Sequence, residues 1–410
     1  MKKVLMVIPF NTVYPPMNGG MQRCFNLLNQ LCRHFEVTAI MHQDRDSFMQ
    51  AAAAFPAIKN CRVISTKDNK KDYEILSLLP GKYGNAVKYR YWNRSLQGPA
   101  GSHFLALYPP MKAFLKTSRV DAVILEDMEI VNLAKLVKRY QPGTPVIYDA
   151  YNVNTILAAA QLEKREISRS LFELIQRDES AIFKSVDKVF ACSEIDLVQL
   201  RRMNQDKING VVIPNGVVMP KEAPATTNKP GADATDILFC GAMDYSPNRE
   251  GLGWFLKSVF PLILSALPGA RLLVVGRGDP GAELSILLQH PSIKNYGRVE
   301  TVDSYYRQAA VAIVPLLSGS GTRLKLLEAM AYGTAIVSTE AGAEGIAYAE
   351  GKNILLANDP QLFAERVVTL LNNPSFAADI ATNAFSFVQK TYDWDIVGDT
   401  MAAYLQTLHN

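Results

Sequence analysis

The stretch Ser318–Gly333, SGSGTRLKLLEAMAYG, lies between two apolar runs, VAIVPLL before it and TAIVST after it. That order predicts strand, glycine-rich turn, helix and strand, which puts a helix N-terminus at the carboxyl edge of a parallel sheet. Gly319 and Gly321 permit a tight turn and a close backbone approach, and Ser320 or Thr322 is placed to cap the helix. Arg323 and Lys325 then set two cations in the first helical turn. The macrodipole is already positive there, so each costs about 0.3–1 kcal/mol. A bound phosphate would reverse the sign of that cost. Glu328 follows in a helix otherwise built from Leu324, Leu326, Leu327, Ala329, Met330 and Ala331, where a carboxylate is expensive to bury unless something pairs it. Two arrangements fit: a Lys325–Glu328 pair on a wet face, or an anion site with a carboxylate beside it. The second accounts for both cations.

The same residues resemble the nucleotide-sugar motif of retaining glycosyltransferases of the GT-B class. LEAMAYGT matches the surroundings of the second of that motif's two glutamates, with Glu328 on the glutamate itself. Ser320 stands where the first glutamate would be. The pattern G-x-G-x-R-x-K-x-x-E is similar instead to a branch in which basic residues take over diphosphate contacts. The resemblance implies a donor diphosphate at Ser320, Gly321, Thr322, Arg323 and Lys325, and ribose hydroxyls at Glu328. The Ser320 departure leaves the identity of the donor sugar open.

At 410 residues the chain is long for one core and natural for two domains. With 48% hydrophobic and 20% charged residues it has an ordinary globular composition, and a formal charge of +4 gives no general signal for nucleic acid. The five cysteines are scattered with no C-x-x-C pair, which argues for reduced thiols in a cytosol and against zinc or a disulfide framework. MKKVLMVIPFN imitates the start of a signal peptide, but its apolar core is short and no small-residue cleavage site follows. No apolar run approaches the ~20 residues of a membrane span.

From the start, Lys3–Pro9 reads as a buried strand, Asn11–Gly20 as a loop and Met21–Arg33 as a helix. Further strands are expected at Glu36–His42, Arg62–Thr66, Val120–Glu126, Pro145–Asp149, Lys188–Ser193 and Val211–Val217, with helices at Leu105–Lys116, Ile130–Arg139 and a long Thr155–Lys184. Glu126, Asp127 and Glu129 follow one strand, and Asp149, Tyr151 and Asn152 follow another; Asp149 reads as a loop cap or as a cleft residue. By resemblance, Gly19 and Gly20 belong to a P-x-x-G-G loop that meets the donor diphosphate from the first domain. YDAYNVN is similar to a Y-D-A-H-N segment whose histidine faces the donor sugar. Here that position is Tyr151, which donates a hydrogen bond but is a poor base near neutrality.

Residues 81–94, GKYGNAVKYRYWNR, interleave cations with aromatics and contain no acid. They suit a membrane surface, an acidic or sugar-rich acceptor, nucleic acid, or an insertion packing its own aromatics. Val218–Thr235 has linker composition. Strands then resume at Asp236–Gly241, Ala270–Gly276, Ile293–Val299, Val311–Leu317 and Thr334–Thr339, with a helix opening at Trp254 and closing helices at Pro360–Leu371, Ser375–Thr391 and Asp393–Leu408. The GAMDYSPN run is similar to the same branch, and Arg249 is placed to reach the diphosphate. Arg277 and the segment Gly297, Arg298 and Val299 border the nucleobase in the family.

The expectation is therefore an α/β protein of GT-B architecture, two Rossmann-like doubly wound domains facing across a cleft. They comprise residues 1–217 with helix 393–410 packing back, a linker at 218–235, and a nucleotide-sugar-binding domain at 236–392. The implied activity is hexosyl transfer from a UDP- or GDP-linked donor to a glycan or lipid-linked acceptor, with retention, in bacterial surface polysaccharide synthesis. Tyr151, Arg323 and Lys325 stand as catalytic candidates, with no cofactor, no metal and no nucleic acid. The location expected is cytoplasmic, with peripheral contact at the inner membrane face through 81–94. Rival readings are a sugar-nucleotide epimerase of similar fold and a catalytically weak nucleotide-sugar-binding subunit.

Overall fold

The computed structural model describes residues 1–69, 101–222, 235–319 and 321–408. The expectations for 81–94, for Ser320 and for most of the linker lie outside these residues. Two compact units divide the chain: Met1–Pro214 with Val397–Asn410, and Asn215–Ile396.

In the first unit the described residues form a seven-stranded sheet of β1 (Lys3–Val7), β2 (Glu36–Met41), β3 (Arg62–Ser65), β4 (Ala122–Glu126), β5 (Val146–Ala150), β6 (Lys188–Ala191) and β7 (Gly210–Val212). The order is β3-β2-β1-β4-β5-β6-β7, and every pairing is parallel. Strands covered on both faces read as continuous apolar runs, and β4 and β5 are buried throughout. Strand order reverses between β1 and β4, so their carboxyl ends open the crevice where ligands of such sheets bind. The helix Gly19–His34 follows β1, and Glu126 closes β4.

The second unit repeats the scheme with β8 (Asp236–Cys240), β9 (Arg271–Val275), β10 (Ile293–Gly297), β11 (Val311–Val314), β12 (Ala335–Ser338) and β13 (Leu355–Leu356), in the order β10-β9-β8-β11-β12-β13. Alternate residues serve two cores. Ile237, Phe239, Leu272, Val274 and Ile313 pack against Phe255, Phe260 and Phe363. Leu238, Leu273, Val275, Ala312 and Val314 pack against Leu326, Leu327, Met330 and Val388. Here the order reverses between β8 and β11, which places Gly241, Gly319 and Gly321 at the switch point.

Several expected elements differ. The single helix Thr155–Lys184 is instead Asn154–Glu163, Arg169–Glu179 and a short turn at Ile182–Lys184. Arg165 takes a left-handed φ of 59°, and the Ser168 hydroxyl accepts from Leu171 N at 3.3 Å to start the second helix. The helix expected to open at Trp254 begins at Ser246, with Pro247 in its first turn. It widens to a π-type turn over Phe255–Val259, just before Pro261, whose missing N–H leaves one helical bond unmade. The two-residue β13 was too short to give a periodic signal. Among the described residues no helix is long and apolar enough to cross a membrane.

The last helix, Trp394–Thr407, straddles the boundary between the units. Its later part belongs to the first: Tyr404 meets Phe190 edge-on at 5.7 Å, and Lys2 Nζ donates to the Gln406 carbonyl at 2.7 Å. Just before it, Val217 N donates to Tyr392 O at 2.7 Å and Val217 bridges Asp393 within the second unit.

Candidate functional site

After β11 the chain turns through Gly319 and Gly321, at φ 134° and 74°, into the helix Leu324–Ala331. A side chain at either glycine would be strained. Thr322 does not supply the expected cap. Arg323 occupies the N-cap position without a side-chain cap bond, and the Thr322 hydroxyl is buried with no hydrogen-bond partner among the described residues. Ser320 lies outside them. Among the described residues no side chain caps the first amides of this helix.

Arg323 and Lys325 part ways. The Arg323 guanidinium is 5% exposed and folds back on the turn, donating to Gly321 O at 2.7 Å and Ala341 O at 3.1 Å, with Glu344 at 3.8 Å. It braces the turn. Lys325 is partly exposed. Its Nζ donates to Asn248 Oδ1 at 2.6 Å and stands 4.9 Å from the Phe239 ring centroid. Glu328, also partly exposed, accepts from the Tyr306 hydroxyl at 3.2 Å. Lys325 and Glu328 thus hold different partners, and the wet-face pair is not what forms. Tyr306 is itself fixed by stacking on Tyr332, with centroids 5.4 Å apart and planes 4° apart.

Lost hydration pulls Lys325 down to about 8, against the raising influence of Cys240 and Glu328. The same loss pushes Glu328 up to about 7, opposed by the Tyr306 hydrogen bond and the Lys325 charge. Two groups of opposite sign, both titrating near neutrality, sit one helical turn apart beside uncapped amides. Such a site suits an anion joined to a hydroxyl-bearing group.

The remaining candidates of this unit are more peripheral. Arg249 donates to the Met243 carbonyl, and Arg277 lies 3.7 Å from Asp244. Arg298 is exposed, while Val299 packs against the core that holds Leu326 and Leu327. Sequence reading passed over Asn248 and Tyr306. Asn248 carried a signal, since it lies in the first turn of a helix begun by Ser-Pro; Tyr306, in the polar run DSYYRQ, carried none.

In the first unit, the carboxyl ends of β4 and β5 meet the helix after β1. Arg23 grips Asp149 with two bonds, Nε to Oδ2 at 2.8 Å and Nη2 to Oδ1 at 2.6 Å, and both residues are fully buried. Asp149, expected as a loop cap or a cleft residue, is instead fully buried and claimed by a buried arginine. The Tyr151 hydroxyl points inward and donates to Glu126 Oε2 at 2.5 Å. Gly20 packs against the flank of the Tyr151 ring and Phe10, and Gly19 opens the helix behind an Asn18 cap. Burial, followed by the Asp149 charge, holds the Glu126 carboxyl well above the usual range. Its Oε1 has no hydrogen-bond partner among the described residues.

Residues 234–373 match the family model Glycosyl transferases group 1. The matched stretch covers most of the second unit, and the turn-and-helix site lies inside it. The chain is 29% identical over 248 residues to an uncharacterized 44.6 kDa protein in the cps region of Klebsiella pneumoniae, covering 54% of this chain and 62% of that one. It is 28% identical over 222 residues to a phosphatidyl-myo-inositol mannosyltransferase of Mycolicibacterium smegmatis, covering 52% and 56%. The chain thus spans less than two thirds of the length of these curated relatives. Sucrose-phosphate synthase from Thermosynechococcus elongatus has the same fold over 100% of this chain and 99% of its own, with a TM-score of 0.73 at 17% identity. The fold is GT-B, built from two Rossmann-like units.

Proposed function

We propose that this protein is a glycosyltransferase that moves a sugar from a UDP- or GDP-linked donor to a glycan or lipid-linked acceptor, with retention, in bacterial surface polysaccharide synthesis. The observation that carries the reading is the Lys325–Glu328 pair of opposite charges beside the uncapped helix start, inside the matched domain. Lys325 and the first amides of Leu324–Ala331 take the diphosphate, and Glu328 accepts hydrogen bonds from the ribose. Arg323 holds the turn in the shape that presents those amides. As the sugar–phosphate bond breaks, charge gathers on the leaving diphosphate, and a fixed cation with oriented N–H groups stabilises it without reorganisation. The relatives' printed names, a cps-region protein and a phosphatidyl-myo-inositol mannosyltransferase, support a surface polymer and a lipid-linked acceptor.

A panel of UDP- and GDP-sugars screened by thermal shift tests the donor. A ligand at 100 times its Kd adds about 2.7 kcal/mol, enough to rank the panel. NMR of the anomeric proton in the product then reads retention or inversion. Because Lys325 and the helix amides already stand at the diphosphate position, turnover is expected to survive EDTA. A panel in which no nucleotide-sugar stabilises the chain overturns the reading.

A further inference from the structure

Asn248 occupies a place that the donor reading leaves unexplained. It is 5% exposed in the first turn of Ser246–Trp254, and its amide orientation is imposed from both ends. Nδ2 donates to Ala242 O at 2.7 Å, which leaves Oδ1 facing Lys325 Nζ at 2.6 Å. Gly241 completes the cradle: a Cβ there would lie 2.6 Å from Lys325 Nζ and 2.9 Å from Asn248 Nδ2. Phe239 supplies a ring face below the ammonium. Other ionisable groups near Lys325 are Cys240 at the end of β8, Glu328 one turn along, and Arg323 at the helix start.

We infer that Asn248 is a positioning residue that holds the Lys325 ammonium at the Gly241 edge as a fixed, uncancelled cation for phosphate oxygens. The residue type matters. A neutral amide oxygen stabilises an ammonium in poorly hydrated surroundings, where a lysine readily gives up its proton. A carboxylate would stabilise it further but would neutralise it locally and repel the phosphate. An apolar side chain would do neither. The inference rests on the donor reading only for the identity of the anion.

The two kinds of substitution therefore predict opposite shifts in one property and the same loss in another. In the full-length chain, the rate at which acetic anhydride modifies Lys325, followed by peptide mass mapping, gives the pH midpoint of its amine without any ligand. In the natural protein that midpoint is expected near about 8. Asn248→Leu should move it lower and Asn248→Asp higher. Both variants should lose about tenfold or more in affinity for UDP or GDP by calorimetry, as expected for a charge-assisted contact. If either does not fold, Asn248→Ser, with its oxygen on a shorter arm, is expected to shift the midpoint in the direction of the leucine variant. A purely structural role would lower the melting temperature without opposite midpoint shifts. Unchanged midpoints in folded variants overturn the inference. Shifted midpoints in a protein that binds neither UDP nor GDP uphold the hold on Lys325 and overturn the donor reading instead.

Discussion

Glu328 and Lys325 set the pH behaviour of the site. On the proposed function Glu328 must be ionised to accept from ribose hydroxyls, so affinity should rise as pH climbs through about 7. Lys325 must be protonated to meet phosphate, so affinity falls as pH climbs through about 8. Nucleotide-sugar binding should therefore peak between these values and weaken by up to about tenfold per pH unit beyond each limb. Calorimetry over pH 5.5–9.5 (on the order of two units either side) checks this, with Glu328→Gln keeping only the alkaline limb. A flat profile contradicts both roles. Arg323 was legible as a cation in an unfavourable place, but not its direction. It relieves that conflict by turning to carbonyl groups, so Arg323→Ala should now cost stability, about 1.5–3 kcal/mol in urea denaturation. Arg23 and Asp149, 126 positions apart, were not legible as a pair. Removing Arg23 alone should cost about 3–5 kcal/mol, while Arg23→Met with Asp149→Leu should recover most of it, since the penalty lies in a buried charge left alone.

Among the elements, the helix Leu324–Ala331 is where sequence and structure agree best, because its apolar residues face one core while its two polar ones, Lys325 and Glu328, stand one turn apart and partly exposed. Its missing cap is the useful disagreement. Uncapped first-turn amides exchange readily with solvent, so a bound diphosphate should slow hydrogen exchange at Leu324–Leu327 more than anywhere in Pro360–Asn372, which lies on the other core. Equal protection of both helices would place the ligand elsewhere. The broken helix at Glu163–Arg169 shows the limit of periodicity. EKREIS carries a helical composition, and only the Ser168 hydroxyl marks the restart. The central strands were legible because buried parallel strands are nearly uniform in hydrophobicity, whereas a two-residue strand such as β13 has no pattern to read.

At the scale of the whole chain, alternation of strands and helices disclosed two parallel sheets, and the strand orders put both candidate clusters at points of reversal. Where one unit stops and the other begins depends on backbone contacts that composition does not encode: the division falls at Pro214 and Ile396. Deleting Val397–Asn410 should thus weaken the first unit, by stripping Tyr404 from Phe190 and Gln406 from Lys2, and leave the second unit's unfolding transition in place. Two transitions in denaturant, only the first displaced, would be the signature; a single unshifted transition would refute it. The clasp of Val217 on Tyr392 and Asp393 has a genetic consequence. Both ends of the second unit emerge side by side, and the chain's own beginning and end belong to the first. The region encoding 215–396 is therefore a cassette. A recombination event with one breakpoint on each side of that clasp could exchange this whole unit between genes while leaving the rest of the reading frame, and the sheet it encodes, untouched.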